Sequence, residues 1–347
     1  MNRFLFSLAL GSSVVAMPLP TVAQEKFEMK VAYFVNDQHP MSQWIIKWTE
    51  RLEQGSKGRI VAKRFPGGQM GPTPQHYDFA RTGTADVSWF LHGGTPGRFP
   101  LTDLSNLPFL IGSAEIGAKV MNDPELRSKY FDAEHKGVKV LMLFTHQPGQ
   151  MHLTKKQVSK LEDLKGVRVR FANPVVRDFL RDLGATPVGV PPTEISEQLQ
   201  KGTVDGAMMD YGGAGVAFKL GGIVKHTLEF YSYVTSFGLA MNPDFYNKLP
   251  ADLKKLVDDS VVGQEAEVGR GWDSIDVPGK KALIDGGMVV TKLSPEEDAR
   301  VRRVAETLHD KEIKELEAKG LPARQAVALM KKLAETHAKT SKNFWAQ

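Results

Sequence analysis

The chain has 347 residues, 24% of them charged, with a formal net charge of +5 and no cysteine. Disulfides, thiolate metal sites and a cysteine nucleophile are thereby excluded, and a surplus so small and dispersed does not argue for nucleic acid. The opening residues carry Arg3, an apolar run from Phe4 to Met17 and a small-residue site ending at Thr21-Val22-Ala23, the pattern of a secretory signal peptide cleaved near Ala23. That run is shorter than the ~20 residues of a membrane-spanning helix, and no later segment approaches that length, so an exported, soluble protein is expected. The remainder is longer than one core usually holds and suits two lobes of about 150 residues each.

From Phe27 the apolar positions alternate through Met29, Val31 and Tyr33, the period of a strand with one buried face. Met41, Trp44, Ile45, Trp48 and Leu52 then recur at helical spacing. A strand over Arg59 to Phe65, a glycine-rich turn at Gly67-Gly68-Gln69-Met70-Gly71, a helix near Gln75 to Arg81 and a strand over Ala85 to Phe90 follow. Strand, helix, strand, helix, strand implies a parallel sheet. The same order returns with strands at Val138 to Phe144 and Val167 to Phe171, then a helix with the stripe Val176, Phe179, Leu180 and Leu183 that stops at Gly184. A strand over Thr186 to Val190, a helix from about Glu194 to Lys201 and a strand from Val204 to Met209 complete it. The fold class is α/β.

An internal echo points to two equivalent lobes: Gly83-Thr84-Ala85-Asp86 and Gly202-Thr203-Val204-Asp205 each join the end of a helix to the start of a strand. Beyond Leu249-Pro250-Ala251-Asp252 the chain reads as mostly helical to about Asp285, with an interruption at Pro278-Gly279. Ser294-Pro295-Glu296-Glu297 opens a last pair of helices as a capping box with proline at the first helical position, and Gly320-Leu321-Pro322 separates the two. Their Lys, Glu and Arg density is that of a solvated helix face.

The usual catalytic signatures are absent, including a Gly-x-Ser-x-Gly elbow, His-Glu-x-x-His, a phosphate loop and an EF-hand loop. Gly212-Gly213-Ala214-Gly215 lacks dinucleotide spacing and reads as a flexible turn. The nine histidines are scattered, with His146 and His152 the closest pair, so no zinc site is expected. The segment that speaks for binding is Val167-Arg168-Val169-Arg170-Phe171. Alternation puts Val167 and Val169 on the core side and both arginines on the other, and the end of a parallel strand is where α/β sheets hold ligands. A guanidinium there can grip a carboxylate through two parallel hydrogen bonds; the competing reading is a surface arginine.

Here the chain resembles the periplasmic solute receptors of tripartite ATP-independent (TRAP) transporters. The resemblance rests on Phe65-Pro66-Gly67-Gly68-Gln69-Met70-Gly71, on Gly83-Thr84-Ala85-Asp86, on Leu161-Glu162-Asp163-Leu164-Lys165-Gly166-Val167-Arg168-Val169-Arg170, on Leu183-Gly184-Ala185-Thr186-Pro187 and on Glu194 through Leu199-Gln200-Lys201-Gly202-Thr203-Val204-Asp205-Gly206. It implies a two-lobed binding-protein fold with a ligand cleft between the lobes, crossing strands and a long connecting helix. Lobe I is expected over 24–146 plus about 236–276, and lobe II together with the C-terminal helices over 147–235 plus about 277–347. Carried over by position, Arg170 looks like the family arginine that pairs with the ligand carboxylate, with Asn173, Gln150 and Met209 as neighbours. Phe34, Trp89, Leu91 and His92 fall at or near positions that face the cleft in relatives. The resemblance also implies a membrane permease as partner.

Two departures from the family pattern matter. Ala207-Met208-Met209 replaces the Gln-Glu-Asn of many relatives and the Glu-Trp with which keto-acid binders help to hold a cation; methionine offers no oxygen to a hard cation, so no metal and no cofactor is predicted, although Asp210 is close by. Phe34, Trp89, Leu91, Met208 and Met209 would make an apolar wall suited to an aromatic or aliphatic acid, with only one of the two methionines reaching the ligand. His39, before Pro40, is expected to cap the helix that follows, and His92 to face the cleft. The expected function is capture of a small organic carboxylate by lobe closure, without catalysis, by a periplasmic monomer; the alternative is an input protein for a signalling receptor.

Overall fold

The computed structural model describes residues 25–341; the expected leader, 1–23, lies outside the described residues. Eleven strands among those residues form two sheets: β1 Phe27–Ala32, β2 Ile60–Phe65, β3 Val87–Leu91, β4 Lys139–Thr145 and β10 Ser236–Met241 in the first, and β5 Gly149–Leu153, β6 Arg168–Phe171, β7 Thr186–Gly189, β8 Gly206–Met209, β9 His226–Tyr233 and β11 Val289–Lys292 in the second. The orders are β2-β1-β3-β10-β4 and β11-β9-β5-β8-β6-β7. The chain therefore changes sheet between β4 and β5, returns between β9 and β10, and crosses again along the helix Glu265–Asp285 before β11. This is the two-lobed α/β architecture expected, with β4, β5, β9, β10 and the long helix as the crossings.

Local rules explain the first lobe. The helix Pro40–Gly55 buries Met41, Trp44, Ile45, Trp48 and Leu52, each contributing ~1.5–3 kcal/mol on removal from water. Proline at the first helical position suits a site with no intrahelical acceptor for an N–H, and His39 Nδ1 accepts from Met41 N at 3.1 Å, the expected cap.

The tetrapeptide echo is a structural repeat. Gly83 and Gly202 both end their helices in the left-handed conformation, at φ 75° and 70°. Asp86 N donates to Lys30 O (2.9 Å) while its carboxylate accepts from Lys30 N (2.7 Å). Asp205 does the same to Arg168, at 2.8 and 2.9 Å. In each lobe one aspartate clips a neighbouring strand, at Lys30 within β1 in one and at Arg168, the first residue of β6, in the other.

Three expectations need correction. The long helix is not interrupted at Pro278-Gly279 but runs unbroken from Glu265 to Asp285. Proline there forfeits a helical hydrogen bond, and the helix holds because it is clamped on both sides of the molecule. Asp273 accepts from Ala114 N and Glu115 N at 2.8 and 3.0 Å, capping the helix Ala114–Met121, and Gly279 lies against the backbone of Tyr211 and Gly212 without room for a methyl group. Gly212-Gly213-Ala214-Gly215 is likewise no flexible turn: it is a buried helical turn whose Gly215 abuts Gly279, so its glycines serve close backbone contact. Finally, the last helix, Ala323–Ala338, does not sit on lobe II alone, since it packs on Ala114–Met121 of the first lobe and its partner Pro295–Glu317 on Pro174–Asp182 of the second.

Burial of ionisable groups sets a pH optimum. His39, His76, His92, His135, His146 and His152 are all buried and all held below their ordinary range by that burial, His39 down to about 3 and His76, His135 and His152 to about 4. Burial pushes Asp103 up to about 8 and Asp273 to about 7. Below the ordinary histidine value of 6.5 the unfolded chain takes up protons that the folded chain refuses, so stability falls as pH drops. Above it, the unfolded chain has already released the protons that Asp103 and Asp273 retain, so stability falls as pH climbs toward 8. A thermal-unfolding series from about pH 4.5 to 8.5 should give its highest Tm near 6.5.

Candidate functional site

β6 delivers Arg170 to the seam between the lobes, with 4% of its surface exposed. Its Nε donates to Val190 O at 3.0 Å and its Nη1 to Met208 O at 3.1 Å. Two of five N–H groups are thus spent on holding the fork still, and the rest remain for a ligand. The sister arginine, Arg168, points from the same face but nearer the strand start, where Asp205 pairs with it at 2.7 Å. Strand position therefore decides which of the two arginines reaches the cavity between the lobes.

Arg170 forms part of the wall of a cavity of about 50 Å³. The first lobe contributes Phe34, Val35, His39 and Leu91; the second adds Met209, Asp210 and Phe218; Thr235 and Phe237 come from the β9–β10 crossing, and Trp272 from the long helix. Phe237 and Trp272 stack with centroids 5.3 Å apart, and Phe34 lies 6.3 Å from Phe237, so much of the wall is aromatic. A second cavity of about 260 Å³ adjoins it, sharing Arg170, Leu91 and Pro192 and rimmed by Gly93, Gly94, Pro96 and Gly189 from both lobes.

The polar wall atoms have defined roles. His39 Nδ1 accepts from Met41 N and the ring is held neutral by burial, so its proton resides on Nε2, a donor. His146 is the reverse: its Nδ1 donates to the carbonyl of Gln147, leaving Nε2 as an acceptor. Asp210 Oδ2 accepts from Gly213 N (2.6 Å) and Gln147 Nε2 (3.0 Å). Gln147 also donates to Asp276 of the long helix; burial, and then the Asp210 carboxylate, push Asp276 well above the usual carboxylate range, so it keeps its proton.

Of the residues singled out in the sequence, the structure brings Arg170, Met209, Phe34 and Leu91 into the cavity wall. Met208 faces a core cluster on the other side of β8, as strand alternation requires. Four residues stand outside the wall. Trp89 is fully buried one layer behind it, its ring 4.6 Å from Phe34 and 5.9 Å from Trp272. His92 turns away to a ring cluster with Phe90, Phe99 and His135, meeting His135 Nε2 to Nε2 at 2.9 Å. Gln150 Oε1 accepts from Phe230 N and Tyr231 N at 2.8 and 2.9 Å, pairing amides freed by the register shift between β5 and β9, where Tyr231 adopts φ 45°. Asn173 caps the helix Pro174–Asp182 through Val176 N at 2.9 Å and donates to Thr235 Oγ1 at 3.3 Å. His39, His146, Asp210, Thr235, Phe237 and Trp272 were missed as wall residues. Of these, the sequence drew notice to His39 as a helix cap, to Asp210 as a neighbour of the methionines and to His146 only in dismissing a zinc site, and to the other three not at all. Among the described residues no cluster of three or more His, Cys, Asp or Glu suited to a metal ion is present.

Comparison with known proteins places this geometry. The model of the DctP family, bacterial extracellular solute-binding protein family 7, matches residues 31–315. A TRAP solute-binding protein of Rhodoferax ferrireducens with copurified benzoate superposes with a TM-score of 0.85 at 30% identity, covering 90% of this chain and 99% of that one. A Bordetella bronchiseptica TRAP solute-binding protein with bound (R)- and (S)-mandelate gives 0.81 at 26%, covering 89% and 99%. A solute-binding protein of Verminephrobacter eiseniae is 26% identical over 296 residues, 83% of this chain and 86% of its own length, whereas the chain spans only 55% of a Salmonella typhimurium relative that is 24% identical over 181 residues. The chain belongs to the DctP family of solute-binding proteins, the TRAP receptors.

Proposed function

We propose that this protein is a periplasmic receptor that encloses a small organic carboxylate with an aromatic or aliphatic body and delivers it to a TRAP membrane permease, with no covalent chemistry. The observation that carries the reading is a single buried guanidinium, Arg170, held by two backbone carbonyls at the edge of an otherwise largely aromatic cavity. Arg170 takes the carboxylate, and Phe34, Leu91, Met209, Phe237 and Trp272 receive the body. Exclusion of water strengthens the charged hydrogen bonds. Trp89, Gln150 and Asn173 act at one remove, by fixing Phe34, the β9 irregularity and the Thr235 crossing. Benzoate in a relative at 30% identity supports the aromatic body, and the leader-like first 23 residues support export.

A thermal-shift screen of the protein lacking residues 1–23 tests this, against aliphatic, aromatic, keto, hydroxy and sugar acids. A ligand at 100 times its Kd adds about 2.7 kcal/mol of stability. Shifts are expected with benzoate-like and apolar monocarboxylates. Shifts confined to sugar acids would keep the receptor and overturn the apolar pocket, and no shift with any acid would overturn the carboxylate assignment.

A further inference from the structure

The cavity wall carries a charge pattern that a carboxylate clamp alone does not explain. Among the described residues that line it, Arg170 is the one permanent cation and Asp210 the one acidic side chain. The two attract each other across the site, and both hydrogen bonds to Asp210 fall on Oδ2, leaving Oδ1 to other partners. Behind Asp210, Gln147 bridges to Asp276, which brings no cation to that end. His39 and His146 supply neutral donor and acceptor atoms, Thr235 a hydroxyl and Trp272 an indole N–H, none of them a cation, and the remaining lining is carbon, the Met209 sulfur or backbone. A ligand with one carboxylate is neutralised by Arg170. A second carboxylate in the same small cavity would lie near Asp210 with no cation to meet it, and an unpaired charge out of water is strongly disfavoured. A hydroxyl at that place would instead donate to Asp210 Oδ1.

We infer that Asp210 is the specificity-determining residue of the site, excluding dicarboxylates and favouring monocarboxylic acids that carry a hydroxyl group remote from the carboxylate. This rests on the receptor reading above and goes beyond it by naming the substrate class. The selection acts through charge, since a carboxylate and a hydroxyl are both small enough to be tried at one ring position.

The experiment is calorimetric titration of the wild-type protein, Asp210→Asn and Asp210→Glu with benzoate, 3-hydroxybenzoate and benzene-1,3-dicarboxylate. In the wild type, 3-hydroxybenzoate should bind at least as tightly as benzoate, and the dicarboxylate at least about 100-fold more weakly. In Asp210→Asn the ratio of dicarboxylate to benzoate affinity should narrow by about tenfold or more, while Asp210→Glu, which keeps the charge, should retain the discrimination. The wild-type comparison requires no variant to fold. If the wild type binds the dicarboxylate within about tenfold of benzoate, or if Asp210→Asn leaves the ratio unchanged, the charge role is wrong even though the receptor reading stands. Binding of none of the three acids would overturn the receptor reading and this inference together.

Discussion

Arg170→Ala is expected to weaken binding of benzoate or a related acid by two to four orders of magnitude. Each charge-assisted hydrogen bond to the carboxylate contributes about 1.5–3 kcal/mol, so losing a two-pronged grip removes about 3–6 kcal/mol, on the order of 10²- to 10⁴-fold in Kd. The substitution also leaves Val190 O and Met208 O without their donor, at a cost to folding of about 1–3 kcal/mol for each buried acceptor left unpaired. Arg170→Lys separates the two effects. It keeps a positive charge but not the planar fork, and should recover stability only in part while remaining well below wild-type affinity. Calorimetry with benzoate, together with Tm of the unliganded variants, checks both. Unchanged affinity in a folded Arg170→Ala protein would remove the carboxylate clamp from the site.

The second large effect comes from a residue with no side chain. Gly93 follows β3 in the first lobe, and a methyl group there would lie 2.6 Å from Ala172 O and 2.8 Å from Asn173 Cβ of the second. Both obstacles are fixed, because Asn173 caps its helix through Val176 N. The φ of Gly93 is not among the left-handed ones, so glycine is required for space and not for conformation. Gly93→Ala should hold the lips of the cleft apart. Overpacking of a tight contact costs about 1–3 kcal/mol, and because that cost falls on the closed state alone, affinity should drop by about 5- to 150-fold. The loss should appear mainly as faster ligand dissociation in stopped-flow fluorescence, with a larger radius of gyration in the presence of ligand by X-ray scattering. Gly94→Ala is the control, since its added methyl would meet Pro74 of its own lobe at 3.3 Å. If Gly93→Ala releases ligand at the wild-type rate, this contact does not form in the ligand-bound state.

What the sequence disclosed and what it withheld follow one physical line. Period-two and period-3.6 patterns are local, so β1, β2, β6 and the Pro40–Gly55 helix were legible within a residue or two. Alternation put Arg168 and Arg170 on one face but left a surface arginine as the competing reading; Arg170 was singled out by the family resemblance, and what separates the two in the structure is the pairing of Arg168 with Asp205 and the place of Arg170 in the cavity wall. The failure at Pro278-Gly279 came from reading proline by its intrinsic cost, when the clamp by Asp273 and the fit of Gly279 against Tyr211 and Gly212 come from segments 60 to 160 residues away. The wall residues divide the same way. Phe237 and Trp272 arrive from the return strand and the long helix, and no local signal marks an aromatic residue as facing a cavity instead of a core. His92 was misplaced because strand-end position says which end of a sheet a side chain occupies but not whether a ring will turn back toward Phe99 and His135.

The clipped aspartates have a further implication for how the ligand lies. Aligning Asp86 with Asp205, and Lys30 with Arg168, sets the pairs Val31–Val87 and Val169–Gly206 in the same register, and the match extends into the cavity. Phe34 then corresponds to Ala172 and Leu91 to Asp210, and all four are wall residues. Arg170 corresponds to Ala32, which is buried and small. The wall is thus one pseudo-symmetric frame filled twice, and its two charged side chains, Arg170 and Asp210, both stand in the second half at places where the first has Ala32 and Leu91. On the function proposed above, a molecule that is ionic at one end and greasy at the other would fit such a frame in a single orientation, so the polarity of the acid relative to the two lobes would follow from the divergence of the repeat.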